Sequence, residues 1–141
     1  MSNRILICGL PNSGKTTFAN ALIKHYSTNH QSYVWFNGDE VRKNYNDWDF
    51  SLEGRLRQTR RMRYLADRSG DIDVIIDYVC PLEHYREIIQ PTHLIYIDTK
   101  STTPYSDTKA LFEPVKNPTM IVPDKDSITK YASDLYSQLK M

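Results

Sequence analysis

An α/β fold, with five parallel strands in one sheet and helices over both faces, follows from two features of this 141-residue sequence. Short apolar runs alternate with stretches of helical periodicity, the pattern of parallel strands joined by crossover helices. The first apolar run also leads straight into a glycine-rich loop, Gly9-Leu10-Pro11-Asn12-Ser13-Gly14-Lys15-Thr16-Thr17. That loop is a complete G-x-x-x-x-G-K-[ST] phosphate-binding motif, and it opens a helix. Strand, loop and helix together predict a P-loop nucleoside triphosphatase fold.

Taken in order, Arg4-Ile5-Leu6-Ile7-Cys8 is the first strand, and Phe18, Leu22 and Ile23 mark a helix over 16–26. Residues 33–36 form a second strand that ends at Asn37-Gly38-Asp39, with a short helix over 39–45 and a polar, aromatic loop over 46–50 behind it. Ser51 caps a longer helix that runs to about residue 69 and is ended by Gly70. A third strand spans 73–79, and a short helix spans 82–89 after Pro81. The fourth strand is 94–97. Residues 99–118 carry three prolines and little periodicity, so they read as a loop. Residues 119–122 form the fifth strand. An amphipathic helix from Ser127 ends the chain, with Ile128, Tyr131, Ala132, Leu135 and Leu139 on one stripe. No repeat, low-complexity tract or linker divides the sequence, so a single domain over 1–141 is expected.

A net charge of +1 argues against a nucleic-acid or anionic-membrane partner without excluding the former. No apolar stretch approaches the roughly 18 residues of a membrane span. The two cysteines, Cys8 and Cys80, both lie in apolar surroundings. A reduced, cytoplasmic setting follows. A homodimer is compatible with the sequence, which does not define the oligomeric state.

In an open parallel sheet, ligands bind at the carboxyl ends of the strands. The loop backbone from Gly9 to Thr17 would wrap a polyphosphate, Lys15 would reach its β/γ-phosphates, and the Thr16 hydroxyl is placed to hold Mg²⁺. Asp39 follows the second strand, where it reads either as a proton acceptor facing the γ-phosphate or as a helix N-cap. Arg42 lies one turn on. In the helix from Ser51, the residues Leu52, Leu56, Thr59, Met62 and Ala66 form one stripe at about 100° per residue. Arg57, Arg61 and Arg68 point away from that stripe and read as surface. Arg55 sits on its apolar side, where a guanidinium needs an anion partner or a ligand. Trp48 and Phe50, beside Arg42 and Arg55, are placed to stack a base or to close a core. Asp77 reads equally as a carboxylate serving the Mg²⁺ water shell and as a polar strand end.

These blocks resemble the adenylylsulfate kinases. The phosphate loop, then Trp35-Phe36-Asn37-Gly38-Asp39-Glu40-Val41-Arg42, then Asp49-Phe50-Ser51-Leu52-Glu53-Gly54-Arg55 are similar to the family's G-L-x-G-S-G-K-[ST], D-G-D-x-[VI]-R and F-S-x-x-D-R-x-x-N-x-R-R, over roughly residues 4 to 68. The resemblance implies transfer of the ATP γ-phosphoryl group to the 3′-hydroxyl of adenylylsulfate. It makes Asp39 the catalytic aspartate, with Lys15 neutralising the phosphates. Arg42, Arg55, Phe50, Gln58 and Cys80 become acceptor contacts, and Lys109 closes over the acceptor from a shortened lid at 99–118. ATP and Mg²⁺ are the implied cofactors, and small-molecule nucleotides the partners.

The sequence departs from the family pattern at several positions. Asn37 stands for the first aspartate of D-G-D, Gly54 for the aspartate before Arg55, and Gln58 for the substrate-binding asparagine. Cys80 and Glu83 stand for the serine and arginine of I-S-P-[FY]-R. The family's K-A-R and F-T-G-I-D-x-P-Y-E lid elements are missing, and no arginine follows Arg86. Two alternatives therefore stay open: a kinase for another hydroxyl acceptor (nucleotide, sugar or modified nucleic acid), and a nucleotide-binding switch with little turnover.

Overall fold

A computed structural model describes residues 2–99 and 106–140. Five parallel strands form one sheet in the order β2-β3-β1-β4-β5. They are β1 (Arg4–Cys8), β2 (Tyr33–Asn37), β3 (Asp73–Asp77), β4 (His93–Ile97) and β5 (Met120–Val122). Between them run α1 (Lys15–Thr28), α2 (Gly38–Tyr45), α3 (Leu52–Asp67), α4 (Glu83–Ile89) and α5 (Ser106–Leu111). A 3-10 turn at Lys125–Ser127 leads into α6 (Ile128–Leu139).

The period-two alternation of strand side chains divides the core into two layers. Ile5 and Ile7 of β1, Ile75 of β3 and Ile95 and Ile97 of β4 face α1 and α6, where they meet Phe18, Leu22, Tyr26, Ile128 and Leu135. Leu6 and Cys8 of β1 and Val74 and Ile76 of β3 face the other way, onto Val41 of α2, Met62 and Ala66 of α3, and Tyr85 and Ile89 of α4. Both cysteines are buried and free. The predicted C-terminal stripe holds, with Tyr131 and Leu139 packed at its edge.

Several expectations are corrected. Residues 106–111, inside the expected loop, form the helix α5, while the rest of that segment's N-terminal part, 100–105, lies outside the described residues. The third strand stops at Asp77 instead of reaching residue 79. The buried face of α3 is Gly54, Gln58, Thr59, Met62 and Ala66, and Leu52 is 60% exposed. That face is rotated because the loop ahead of α3 packs against its first turn. A Cβ on Gly54 would collide with the Asp49 carbonyl oxygen. Only a residue without a side chain lets that backbone approach.

Arg57 is exposed as expected and Arg61 is part-buried, and the same loop engages both in ion pairs. Asp47 accepts from Arg57 Nε at 2.7 Å and pairs with Arg61 at 2.7 Å, and Arg57 also meets Asp49. These contacts hold the Asp47 carboxyl well below the usual carboxylate range. Arg68 is a surface residue as expected, its guanidinium lying over the Tyr64 ring.

Gly54→Ala is expected to lower stability. Displacing the Asp49 backbone costs about 1–3 kcal/mol, which exceeds the gain of up to about 1 kcal/mol from helix propensity. Urea denaturation should show a lower midpoint with an unchanged slope. A midpoint equal to or above the parent's would mean that the loop moves aside freely.

Candidate active site

The C-terminal strand ends converge on a cleft of about 1400 Å³. At its floor the chain leaves β1 through Gly9 and enters α1 through Gly14, whose φ of 113° is a left-handed conformation. A Cβ on Gly14 would also lie 2.7 Å from Ile128 Cδ1, so both backbone and space require glycine there. No side chain caps α1, and its first turn, Lys15, Thr16 and Thr17, borders the cleft. Open amide donors and the positive helix end make this an anion site. Ser13 Oγ is buried nearby with no hydrogen-bond partner among the described residues.

Lys15 donates from Nζ to the Leu10 carbonyl at 2.7 Å. Burial lowers its pKa to about 8, against the opposing pull of Asp77 and Asp39. The amine is thus near and still short of a full counter-charge, a state that a polyphosphate would relieve.

A hydrogen-bond knot joins three elements beside it. Asp77, at the end of β3, accepts from Thr16 Oγ1 at 3.3 Å, Trp35 Nε1 at 2.6 Å and Asn37 Nδ2 at 3.0 Å. Burial pushes the Asp77 pKa up, while Trp35, Asn37, Lys15 and Thr16 pull it down. Asn37 uses its other atom as well: Oδ1 accepts from the Glu40 amide and caps α2. Asn37 therefore takes the capping role that Asp39 could have filled. Asp39 is exposed in the first turn of α2, borders the cleft, and makes no hydrogen bond or ion pair among the described residues. Thr16 Oγ1 donates once and accepts once, from Asn37 at 3.3 Å, which leaves a lone pair for a cation. A hydroxyl and a neighbouring carboxylate suit Mg²⁺, which keeps several waters and takes its remaining ligands from substrate phosphates.

The far wall is cationic and aromatic. Arg42 is 6% exposed, and its guanidinium donates to the Asp47 and Asp49 carbonyls at 3.0 and 3.2 Å. Burial lowers its pKa. Arg55 donates to the Phe50 carbonyl at 2.8 Å and to Thr108 Oγ1 at 3.1 Å. Neither arginine meets a carboxylate among the described residues, whereas Arg57 and Arg61 on the same helix both do. Gln58, 2% exposed, donates to the Gly38 carbonyl at 3.0 Å, and its Oε1 is buried without a partner among the described residues.

Asp39, Lys15, Thr16, Thr17, Arg42, Phe50, Arg55 and Gln58 thus border one cleft, as the sequence predicts. The remaining two expected contacts differ. Cys80 lines the cleft too, but its side chain is fully buried in the apolar layer and burial holds its thiol far above the ordinary range. Lys109 is exposed and outside the cleft lining, because α5 is helical and turns Thr108 and Leu111, three residues apart, toward the cleft instead. Sequence reasoning missed those two residues, Lys125 and Tyr85. A helical reading of 106–111 would have found the first pair.

Arg86 is also spent on structure. It is buried, donates to the carbonyls of Cys80, Pro81, Glu113 and Pro114, and lies over the Phe112 ring. It ties the chain after α5 to the start of α4.

Phosphate loop, strand order and cleft together define a P-loop kinase, and comparison with known proteins narrows the class. Residues 1–117 match the model of the adenylylsulphate kinase family, and the chain belongs to that family. It is an ATP-dependent kinase. Among solved structures, the APS kinase of Mycobacterium tuberculosis, in complex with AMPPNP and APS, is similar with a TM-score of 0.83 at 19% identity, over 99% of this chain and 98% of that one. The protein APE1195 is similar at 0.80 and 26% identity, over 99% and 95%. The thymidylate kinase of Ehrlichia chaffeensis follows at 0.66 and 17% identity, over 99% and 99%. No curated protein sequence matches.

Nucleotide affinity should fall as pH rises above about 8. Phosphate binding needs the charged amine, and above that pH the free protein must take up a proton to supply it. The ATP dissociation constant should therefore approach a tenfold rise per pH unit beyond this point. Calorimetric titrations at pH 7, 8 and 9 check this. A flat profile would show that Lys15 keeps its proton in the free protein.

Proposed function

We propose that this kinase transfers the γ-phosphoryl group of MgATP to the 3′-hydroxyl of adenylylsulfate. The observation that carries the reading is the pair Arg42 and Arg55: two cations in the wall of the cleft that the phosphate loop borders, donating to carbonyl and hydroxyl oxygens and forming no ion pair with a carboxylate among the described residues. Family membership and the likeness to an APS kinase solved with APS support the same acceptor.

In this reading the ATP phosphates lie on the open start of α1, and Lys15 leaves the Leu10 carbonyl for them. Thr16 would hold Mg²⁺, with Asp77 behind it through water. The bound ion would supply charge neutralisation of the phosphates. Arg42 and Arg55 clamp the anionic acceptor, and the unpartnered Gln58 Oε1 is available to its polar groups. Asp39 accepts the proton of the acceptor hydroxyl as its oxygen bonds to the γ-phosphorus. The bond to the bridging oxygen breaks, and its electron pair leaves on ADP. A single domain over 1–141, with residues 99–118 as a reduced lid, belongs to the same proposal. One observation favours a second acceptor, some other anionic hydroxyl compound: Lys109 stands outside the cleft.

ATP consumption measured against a panel of hydroxyl acceptors tests the reading. Adenylylsulfate should give the highest kcat/KM, and Asp39→Asn should lower kcat by on the order of 10² with ATP affinity within a few-fold. A different preferred acceptor, or turnover that no acceptor accelerates, would overturn it.

Arg55→Ala should raise the acceptor KM about ten- to a hundred-fold, since a lost charge-assisted bond to an anion costs about 1.5–3 kcal/mol. The ATP KM should barely move. An unchanged acceptor KM would reduce Arg55 to a tether for Thr108.

A further inference from the structure

Phe50 is the aromatic that the family resemblance sets beside the acceptor base, yet its ring, although 54% exposed, already faces two guanidinium groups. The Arg42 guanidinium carbon lies 4.2 Å from the ring centroid, and that of Arg55 lies 5.7 Å from it. A ring faced by a cation at that distance is held by its quadrupole, and it keeps the guanidinium in plane above it. The neighbouring aromatic is in a different state. Trp48 borders the same cleft, is 51% exposed, and has no ring, cation or hydrogen-bond partner among the described residues.

This indole does not hang from a free loop. Asp47 on one side of it is bound by Arg57 and Arg61, and Asp49 on the other accepts from the Ser51 amide at 2.9 Å and from Arg57 at 3.2 Å. The Asp49 backbone rests directly on Gly54. Both flanks are clamped, so the ring is presented to the cleft from fixed backbone. A large, rigid ring held half bare in a cleft wall is suited to a planar partner.

We propose that Trp48 is the stacking platform for the nucleobase of the acceptor, while Phe50 supports the two arginines that take its anionic end. This deepens the acceptor assignment above and rests on it. Because every base offers a π-face, stacking here would favour a nucleotide over a sugar while discriminating weakly among bases.

The test uses the full chain and two variants, with adenylylsulfate as the probe. Trp48→Ala should raise the acceptor KM roughly five- to a hundred-fold, the range for a lost base–aromatic stack. Trp48→Phe should recover most of that loss, and the ATP KM should stay within about two-fold of the parent in both. Tryptophan fluorescence gives a readout independent of turnover, since the chain holds only Trp35 and Trp48. Adenylylsulfate should quench the parent saturably, and the quench should vanish in Trp48→Phe although Trp35 remains. Turnover of adenylylsulfate with an unchanged KM in Trp48→Ala and a quench that persists in Trp48→Phe would overturn the stacking role alone. Equal impairment in the Ala and Phe variants would overturn it too, showing a packing role for the indole. If the parent neither binds nor turns over adenylylsulfate, the acceptor assignment falls. The quench is then sought with adenosine 5′-monophosphate, and its absence removes the stacking role as well.

Discussion

The buried carboxylate of Asp77 is the point on which the rest of the site hangs. A charge in that position would be expelled to water or neutralised unless donors met it. Thr16, Trp35 and Asn37 meet it, each from a different stretch of chain. Through them the end of β3 is joined to the start of α1 and to the end of β2. Asn37 then carries the connection into α2, whose first turn bears Asp39. Strand alternation puts Asp73 on the same face at the opposite end of β3, where Tyr26 donates to it at 2.6 Å. Helix α1 is thereby pinned to β3 at both ends. The phosphate loop and Asp39 hold a common frame because one carboxylate needs all its partners.

Much of this arrangement was legible in the sequence, and the reasons differ from part to part. The phosphate loop reads directly because its spacing encodes its own backbone shape. The strands were legible because both faces of the sheet are covered, leaving near-continuous apolar runs such as Val74-Ile75-Ile76 in place of an alternating pattern. Helix α3 was legible only in part. Its periodicity was computed from side-chain polarity, whereas Gly54 and Gln58 are buried for reasons polarity does not register. One admits a neighbouring backbone, and the other donates to a carbonyl across the cleft floor. Proline-poor helicity over 106–111 was hidden by the prolines around it. Arg57 and Arg61 illustrate a third limit. An angle about a helix axis says which way a side chain leaves, and nothing about a loop that folds back to meet it.

The cations of the chain sort by what their nitrogens face. Those of Arg57 and Arg86, and one nitrogen of Arg61, are taken by carboxylates or by several carbonyls at once, and they organise loops. Lys15, Arg42 and Arg55 hold partial partners only, and all three border the cleft. Partial partners leave much of the cationic field of such groups uncancelled, and a low-dielectric wall strengthens it. Positive potential is in this way concentrated where two anionic substrates would meet, in a molecule whose net charge is only +1.

The close approach of Asp49 to Gly54 also constrains how this sequence can change. Any side chain at position 54 collides with the backbone of the loop, so the family's aspartate is not accessible there while the loop keeps its present path. The loop, in turn, has no reason to move while Arg57 and Arg61 hold Asp47. Position 54 and the segment before α3 therefore behave as one epistatic unit. A substitution toward the family pattern that is harmless elsewhere on α3 would be rejected here unless a loop change came first.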